Sequence, residues 1–251
     1  PQWARVYHFN KENAQARLDA DVVFFGDSIT EAWLGTSWGR INAKVHLVPQ
    51  VFESYFSVEQ GGEFEGLALG IAGDLSPNVL WRIQNGELPD ALEPQVIWLL
   101  IGTNDFGNTW CSAETVLIGI IRVVEELLQR KPAATIVVNG ILPRTYNRQG
   151  YVARGRSRKW WKSKAPPSMP SLWDDIEAVN EELKNYANSR ERVEYFETRA
   201  FFVDRLAPEE NLQLDGKLMP DFLHPSAEGY RLWGQEIVDK LKMIMSKQDL
   251  D

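Results

Sequence analysis

The chain has 251 residues, 44% of them hydrophobic and 25% charged, with a formal net charge of −8. That length and composition suffice for an α/β domain with a sizeable core and exclude a wholly disordered chain. The acidic balance argues against a nucleic-acid partner, and no run of about twenty apolar residues is present to span a membrane. Cys111 is the only cysteine, so no internal disulfide can form, and a lone cysteine reads as a small buried hydrophobe. The first residue is Pro1 rather than Met, so a soluble chain with a processed or trimmed N-terminus is the expectation. No Asn-X-Ser/Thr sequon occurs, and the compartment stays open.

Residues 9–20 read as a short helix leading into Val22-Val23-Phe24-Phe25, an apolar run of the kind buried on both faces of a parallel sheet. The run ends in Gly26-Asp27-Ser28-Ile29-Thr30, which sets a small hydroxyl residue at the strand's C-terminal edge, where open α/β sheets bind their ligands. The competing role for Ser28 is to cap the following helix. In the Trp-rich stretch that follows, the pattern supports only a helix near 50–58. Leu67-Ala68-Leu69-Gly70-Ile71 is a second strand, followed by Gly73-Asp74 and a helix over 78–83 that Asn85-Gly86 stops. The third strand, Val96–Ile101, ends in Gly102-Thr103-Asn104-Asp105. After Ser112 an amphipathic helix carries Val116, Ile120, Val124 and Leu127 on one stripe. Thr135–Leu142 is the fourth strand, residues 172–189 a helix, and Val193–Phe196 the fifth strand. Ser226 can cap a last helix with Tyr230, Trp233, Ile237, Leu241 and Ile244 on its stripe. Apolar strands alternating with helices predict a three-layer α/β/α domain over residues 1–251, its parallel sheet covered on both faces.

One segment breaks the composition. Arg144 to Lys164 holds eight of the 27 basic residues and none of the 35 acidic ones, with Trp160 and Trp161 among them. Such an insertion, at about 145–170, is either a solvated loop or a rim beside a site, with Arg144, Trp160 and Trp161 facing a substrate.

A serine nucleophile requires a base, usually histidine, and the chain holds three. His8 lies in a segment expected to fray, and His46, between Val45 and Leu47, reads as a packed structural histidine. His224 follows Asp221 by three residues, a spacing that lets the carboxylate hold one ring nitrogen and leaves the other to take a hydroxyl proton. Pro225 keeps His224 extended ahead of the last helix. Acyl transfer also needs donors for an oxyanion, and three close successive strands: the backbone N–H of Ser28, that of Gly73, and the side-chain amide of Asn104. Gly35-Thr36-Ser37-Trp38-Gly39 matches G-x-S-x-G, but the elbow requires a strand-to-helix turn that this stretch does not provide.

Gly26-Asp27-Ser28-Ile29, Gly70-Ile71-Ala72-Gly73-Asp74, Gly102-Thr103-Asn104-Asp105 and Asp221-x-x-His224 resemble, in order, the four blocks of the SGNH (GDSL-type) hydrolases. Val79-Leu80-Trp81-Arg82, Asn85-Gly86-Glu87-Leu88 and Leu142-Pro143-Arg144 resemble the platelet-activating-factor acetylhydrolase catalytic subunits in particular. Those subunits usually carry Gly at the position of Ala72 and lack the basic insertion. The resemblance implies a flavodoxin-like sheet of five parallel strands, with Ser28 as nucleophile, His224 as base and Asp221 as its orienter. It implies an oxyanion hole of Ser28, Gly73 and Asn104, and no metal or cofactor. The expected activity is hydrolysis of short-acyl, most simply acetyl, esters of a lipid or carbohydrate alcohol. Acyltransfer, lysophospholipase or thioesterase action by the same residues, and a binding module on a hydrolase fold, are the alternatives. The expected partner is a small-molecule, carbohydrate or lipid ester, with a homodimer as a further candidate.

Overall fold

The computed structural model describes residues 1–148, 150–152, 172–203 and 212–248. Helix α1 (Gln2–Ala16) leads into β1 (Val22–Gly26), the short helix α2 (Ser28–Glu31) and a hairpin of β2 (Thr36–Ser37) and β3 (Arg40–Ile41). Helix α3 (Val48–Phe56), β4 (Gly66–Gly70), α4 (Ser76–Arg82), β5 (Val96–Leu100), α5 (Thr103–Gly107) and α6 (Ala113–Arg130) follow. The chain continues through β6 (Thr135–Asn139), α7 (Trp173–Asn188), β7 (Val193–Phe196), α8 (Arg199–Phe202) and α9 (Ala227–Gln248).

The five apolar strands pair in the order β4-β1-β5-β6-β7, every pair parallel. Each is buried along its length or at both ends, because successive side chains enter opposite layers. Val23 and Phe25 pack with Val79, Val116, Ile120 and Ile176 on one face. Val22, Phe24 and Trp98 pack with Phe52, Phe56, Trp233 and Ile237 on the other. The arrangement is the expected three-layer α/β/α fold.

Register places the functional edge. Gly26 pairs with Gly70 of β4 on one side and Leu100 of β5 on the other, so three strands end at one level. The chain leaves β1 for β4 in one direction and later reaches β5 in the other, which makes the end of β1 the topological switch point. Close approach there demands glycine: a Cβ at Gly70 would collide with the backbone of Thr30 and Glu31.

Two local expectations are corrected. The N-terminal segment is ordered from Gln2, so His8 lies on a docked helix: Trp3 Nε1 donates to Asp74 at 2.6 Å and the Tyr7 hydroxyl to the Asn85 carbonyl at 2.5 Å. The stretch after β1 also holds α2 and the hairpin, elements too short to leave a periodic signal.

Beneath the loop after β4 lies Arg82, fully buried. It pairs with Asp74 at 2.8 Å and with Glu87, and donates to the carbonyls of Gly26 at 2.9 Å and Leu69 at 3.2 Å. Removing one partner of a buried ion pair strands the other charge. Arg82→Ala should therefore lose about 3–5 kcal/mol of stability, read from the denaturant midpoint. A midpoint within experimental scatter of wild type would refute this account of the loop's anchor.

Candidate active site

Gly26 ends β1 and Asp27 turns the chain into α2. The Asp27 carboxylate accepts the Ile29 N–H at 2.9 Å, so Asp27 is the helix cap and the Ser28 hydroxyl is left for other work. Ser28 Oγ lies 2.9 Å from His224 Nε2, although 196 residues separate them. Helix α9 fixes the turn from behind, the Tyr230 hydroxyl donating to the Ile29 carbonyl at 2.6 Å.

The Asp221–His224 loop is built on the same kind of capping. Asp221 Oδ1 accepts the N–H groups of Leu223 at 3.1 Å and His224 at 2.7 Å, while Oδ2 lies 2.9 Å from His224 Nδ1. Phe222 takes φ +56°, a left-handed conformation that a bulky residue holds only where its surroundings compel it. Burial alone would raise the Asp221 carboxyl; the ring and backbone N–H of His224, with the Leu223 N–H, outweigh it and bring it down to about 2. An ionised carboxylate can only accept, so Nδ1 carries the hydrogen and Nε2 offers its lone pair to the Ser28 hydroxyl. Ser226 Oγ then accepts the Gly229 N–H at 3.2 Å, the cap expected for α9.

Gly73 sits in the loop after β4 with φ +80°, and the Trp38 ring comes within 2.9 Å of where a Cβ would stand. Among the described residues no acceptor engages the N–H of Ser28 or of Gly73. Asn104, on α5, donates its amide to the Asp74 carbonyl at 3.0 Å and lies 3.4 Å from Asp27 Oδ2. The loops after β1, β4 and β5 are thus in mutual contact. Asp105 adds a further tie, accepting the Ser76 hydroxyl at 2.6 Å and its N–H at 3.0 Å.

A cleft of about 510 Å³ opens on Ser28 and His224, with Ala32, Thr36, Asn42 and Pro220 on its walls. Ser37 also lines it, but from β2, where the G-x-S-x-G stretch forms a hairpin. His46 is exposed on a turn, Nδ1 lying 2.7 Å from the Ala43 carbonyl, because the apolar neighbours Val45 and Val48 turn inward without it. Cys111 is half-buried, 3.2 Å from the Thr109 hydroxyl. Arg144 is buried rather than on a rim. It donates to the Thr103 carbonyl at 2.8 Å and to the Tyr146 hydroxyl at 3.1 Å, bracing α5 from below. Trp160 and Trp161 lie outside the described residues. Among the described residues no three His, Cys, Asp or Glu side chains gather to hold a metal ion. No helix among them is long and apolar enough to cross a membrane.

The sequence alone assigns no role at the site to Glu31, Trp38, Arg82 or Tyr230. Their signals are local anomalies: a carboxylate leading the apolar Ala32-Trp33-Leu34, a tryptophan between Ser37 and Gly39, an arginine inside a short helix, and a tyrosine on the stripe of the last helix.

A parallel sheet with a serine at its switch point, faced by a histidine held on an aspartate, defines the hydrolase class of α/β/α proteins. The chain belongs to the GDSL-like lipase/acylhydrolase family, which matches residues 24–232. It is similar to the platelet-activating factor acetylhydrolase IB subunit alpha1 of Bos taurus, 32% identical over 144 residues, 57% of this chain and 52% of that one. The match thus spans about half the length of such relatives. In fold it is similar to a GDSL-like lipase from Bacteroides thetaiotaomicron, with a TM-score of 0.63, 20% identity and coverage of 94% and 98%. A carbohydrate esterase family 3 protein from Talaromyces cellulolyticus gives 0.57, 18%, 90% and 98%. At such identities the likeness concerns fold alone.

Asp27 generates a pH prediction. Burial raises its carboxyl to about 7; the Ile29 N–H and His224 oppose the rise, and Asp74 and Asp105 add to it. With the folded value above the unfolded one, its contribution is full below the ordinary carboxylate range and is lost as pH rises through about 7. Asp27→Asn keeps an oxygen for the Ile29 N–H but cannot titrate. Denaturant midpoints measured between about pH 5 and pH 8 should decline less steeply in Asp27→Asn than in wild type. Identical slopes would refute the assignment.

Proposed function

We propose that the chain is a serine esterase that removes a short acyl group, most simply acetyl, from a lipid or carbohydrate alcohol. The observation that carries the reading is the Ser28 Oγ–His224 Nε2 separation of 2.9 Å, with Asp221 2.9 Å from the opposite ring nitrogen. His224 takes the hydroxyl proton as Ser28 Oγ adds to the ester carbonyl. The N–H groups of Ser28 and Gly73 receive the oxyanion, joined by the Asn104 amide as one of its N–H groups turns from Asp27 Oδ2 or the Asp74 carbonyl. His224 then protonates the departing alcohol, leaving Ser28 acylated, and water activated by the same imidazole releases the acid. The acetyl preference is supported by the acetylhydrolase relative. The apolar walls at Ala32, Val45 and Pro225 support an alcohol with an apolar part.

Initial rates on p-nitrophenyl esters of increasing acyl length test the reading. Acetate should be the best substrate, Ser28→Ala should be inactive and Ser37→Ala should retain activity. Asn104→Ala should fold normally and turn over the acetyl ester roughly a hundredfold more slowly, the loss of one oxyanion donor. Full activity in Ser28→Ala would end the proposal, and wild-type turnover in Asn104→Ala would remove that residue from the oxyanion hole.

A further inference from the structure

Glu31 is fully buried, one helical turn after Ser28 on α2. Its Oε1 accepts the Thr36 hydroxyl at 2.9 Å and the Gly39 N–H at 2.7 Å. Its Oε2 accepts the Trp38 N–H at 3.1 Å and the Ala72 N–H at 2.7 Å. These four donors come from two segments distant in sequence, the β2–β3 hairpin and the loop after β4. Among the described residues no cation forms an ion pair with Glu31. A carboxyl group withdrawn from water without a counter-charge is costly and persists only where its hydrogen bonds hold it.

Those bonds lead to the oxyanion donors. The Ala72 N–H belongs to the Ile71–Ala72 peptide, so the bond to Glu31 holds the chain one Cα before the peptide that carries the Gly73 N–H. The Trp38 and Gly39 bonds hold a hairpin turn in which Trp38 takes φ +55°, and that strained turn lays the Trp38 ring against Gly73. One side chain therefore pins the Gly73 loop from beneath and its aromatic cover from the side. Glu31 and Ser28 share a single turn of helix, so the distance from nucleophile to donor is set within one rigid unit.

We propose that Glu31 is a positioning residue for the oxyanion hole, fixing the Gly73 N–H relative to Ser28 through the adjoining Ile71–Ala72 peptide and the Trp38 cover. The proposal rests on the esterase reading above. It predicts an effect on the transition state and little on the bound ester, because a displaced donor is missed only once charge develops on the carbonyl oxygen.

Glu31→Gln keeps the size of the side chain and turns one acceptor into a donor. With nitrogen at the Oε1 position the Gly39 bond is lost while the Thr36 hydroxyl turns to accept, and with nitrogen at Oε2 the Trp38 and Ala72 bonds are lost. On p-nitrophenyl acetate, with active enzyme titrated by a fluorophosphonate, kcat should fall about ten- to a hundredfold with KM changed less than about threefold. Inhibition by phenylboronic acid, whose tetrahedral adduct on serine mimics the charged intermediate, should weaken by the same factor as kcat. Thr36→Val removes one bond and spares the Ala72 contact; it should lose a few-fold in kcat and in boronate affinity, and it carries the test if Glu31→Gln does not fold. Wild-type kcat in folded Glu31→Gln overturns the proposal, as does a fall in kcat with unchanged boronate affinity. Unaltered kcat and boronate affinity in Thr36→Val also overturn it. Wild-type turnover that only Ser28→Ala abolishes leaves the esterase reading standing in each case, whereas an inactive wild type overturns both.

Discussion

The register of β1 between β4 and β5 determines where every group of the candidate site can lie. Parallel pairing of Gly26 with Gly70 and with Leu100 brings three strand ends to one level. The residues that follow, Asp27-Ser28, Ile71 to Asp74 and Gly102 to Asn104, therefore emerge side by side. A slip of one residue would invert each side chain between layers and bury Phe24 and Phe25 against the wrong helices. The packing that stabilises the sheet and the alignment that assembles the site are one constraint.

Strand ends alone leave loops with unpaired N–H groups in a partly dry environment, which backbone chemistry does not tolerate. Here carboxylates supply the missing acceptors. Asp27 takes one N–H from its own turn, Asp105 reaches Ser76, Asp221 holds Leu223 and His224, and Glu31 spans two segments. Below them Arg82 pairs with two further carboxyl groups, Asp74 and Glu87. Burial raises the Glu87 carboxyl to about 7 even beside that guanidinium, which marks how dry the region under the loops is. Polar groups close the edge, together with the Trp38 ring over Gly73.

The five strands and helices α6, α7 and α9 were legible because their signals are dense, continuous apolar runs for the buried strands and one clean stripe along α6, whereas α1, read as residues 9–20, runs over Gln2–Ala16. Ser28, Gly73 and Asn104 were legible because each stands beside a strand end marked by glycine, and His224 because Asp221 precedes it by three residues and Pro225 follows it. Glu31 and Arg82 were not, since a charged residue in a short helix carries no periodic mark and its partners are far away in sequence. The burial of Arg144 was hidden for a related reason. It opens a basic segment, whereas its guanidinium reaches back 41 residues to the Thr103 carbonyl and also donates to the nearby Tyr146 hydroxyl. His46 misled in the opposite sense: apolar neighbours in sequence became a surface turn in which only Val45 and Val48 face inward.

What the whole account depends on is that the hydroxyl after β1 becomes acylated. Rapid acid quenching of the enzyme during turnover of p-nitrophenyl acetate, followed by peptide mass spectrometry, reads this directly. The account predicts an acetyl group on the peptide containing Ser28, accumulating to a steady level and absent from His224→Ala. Acetyl on the Ser37 side of that region, or turnover with no acylated peptide at all, would contradict it.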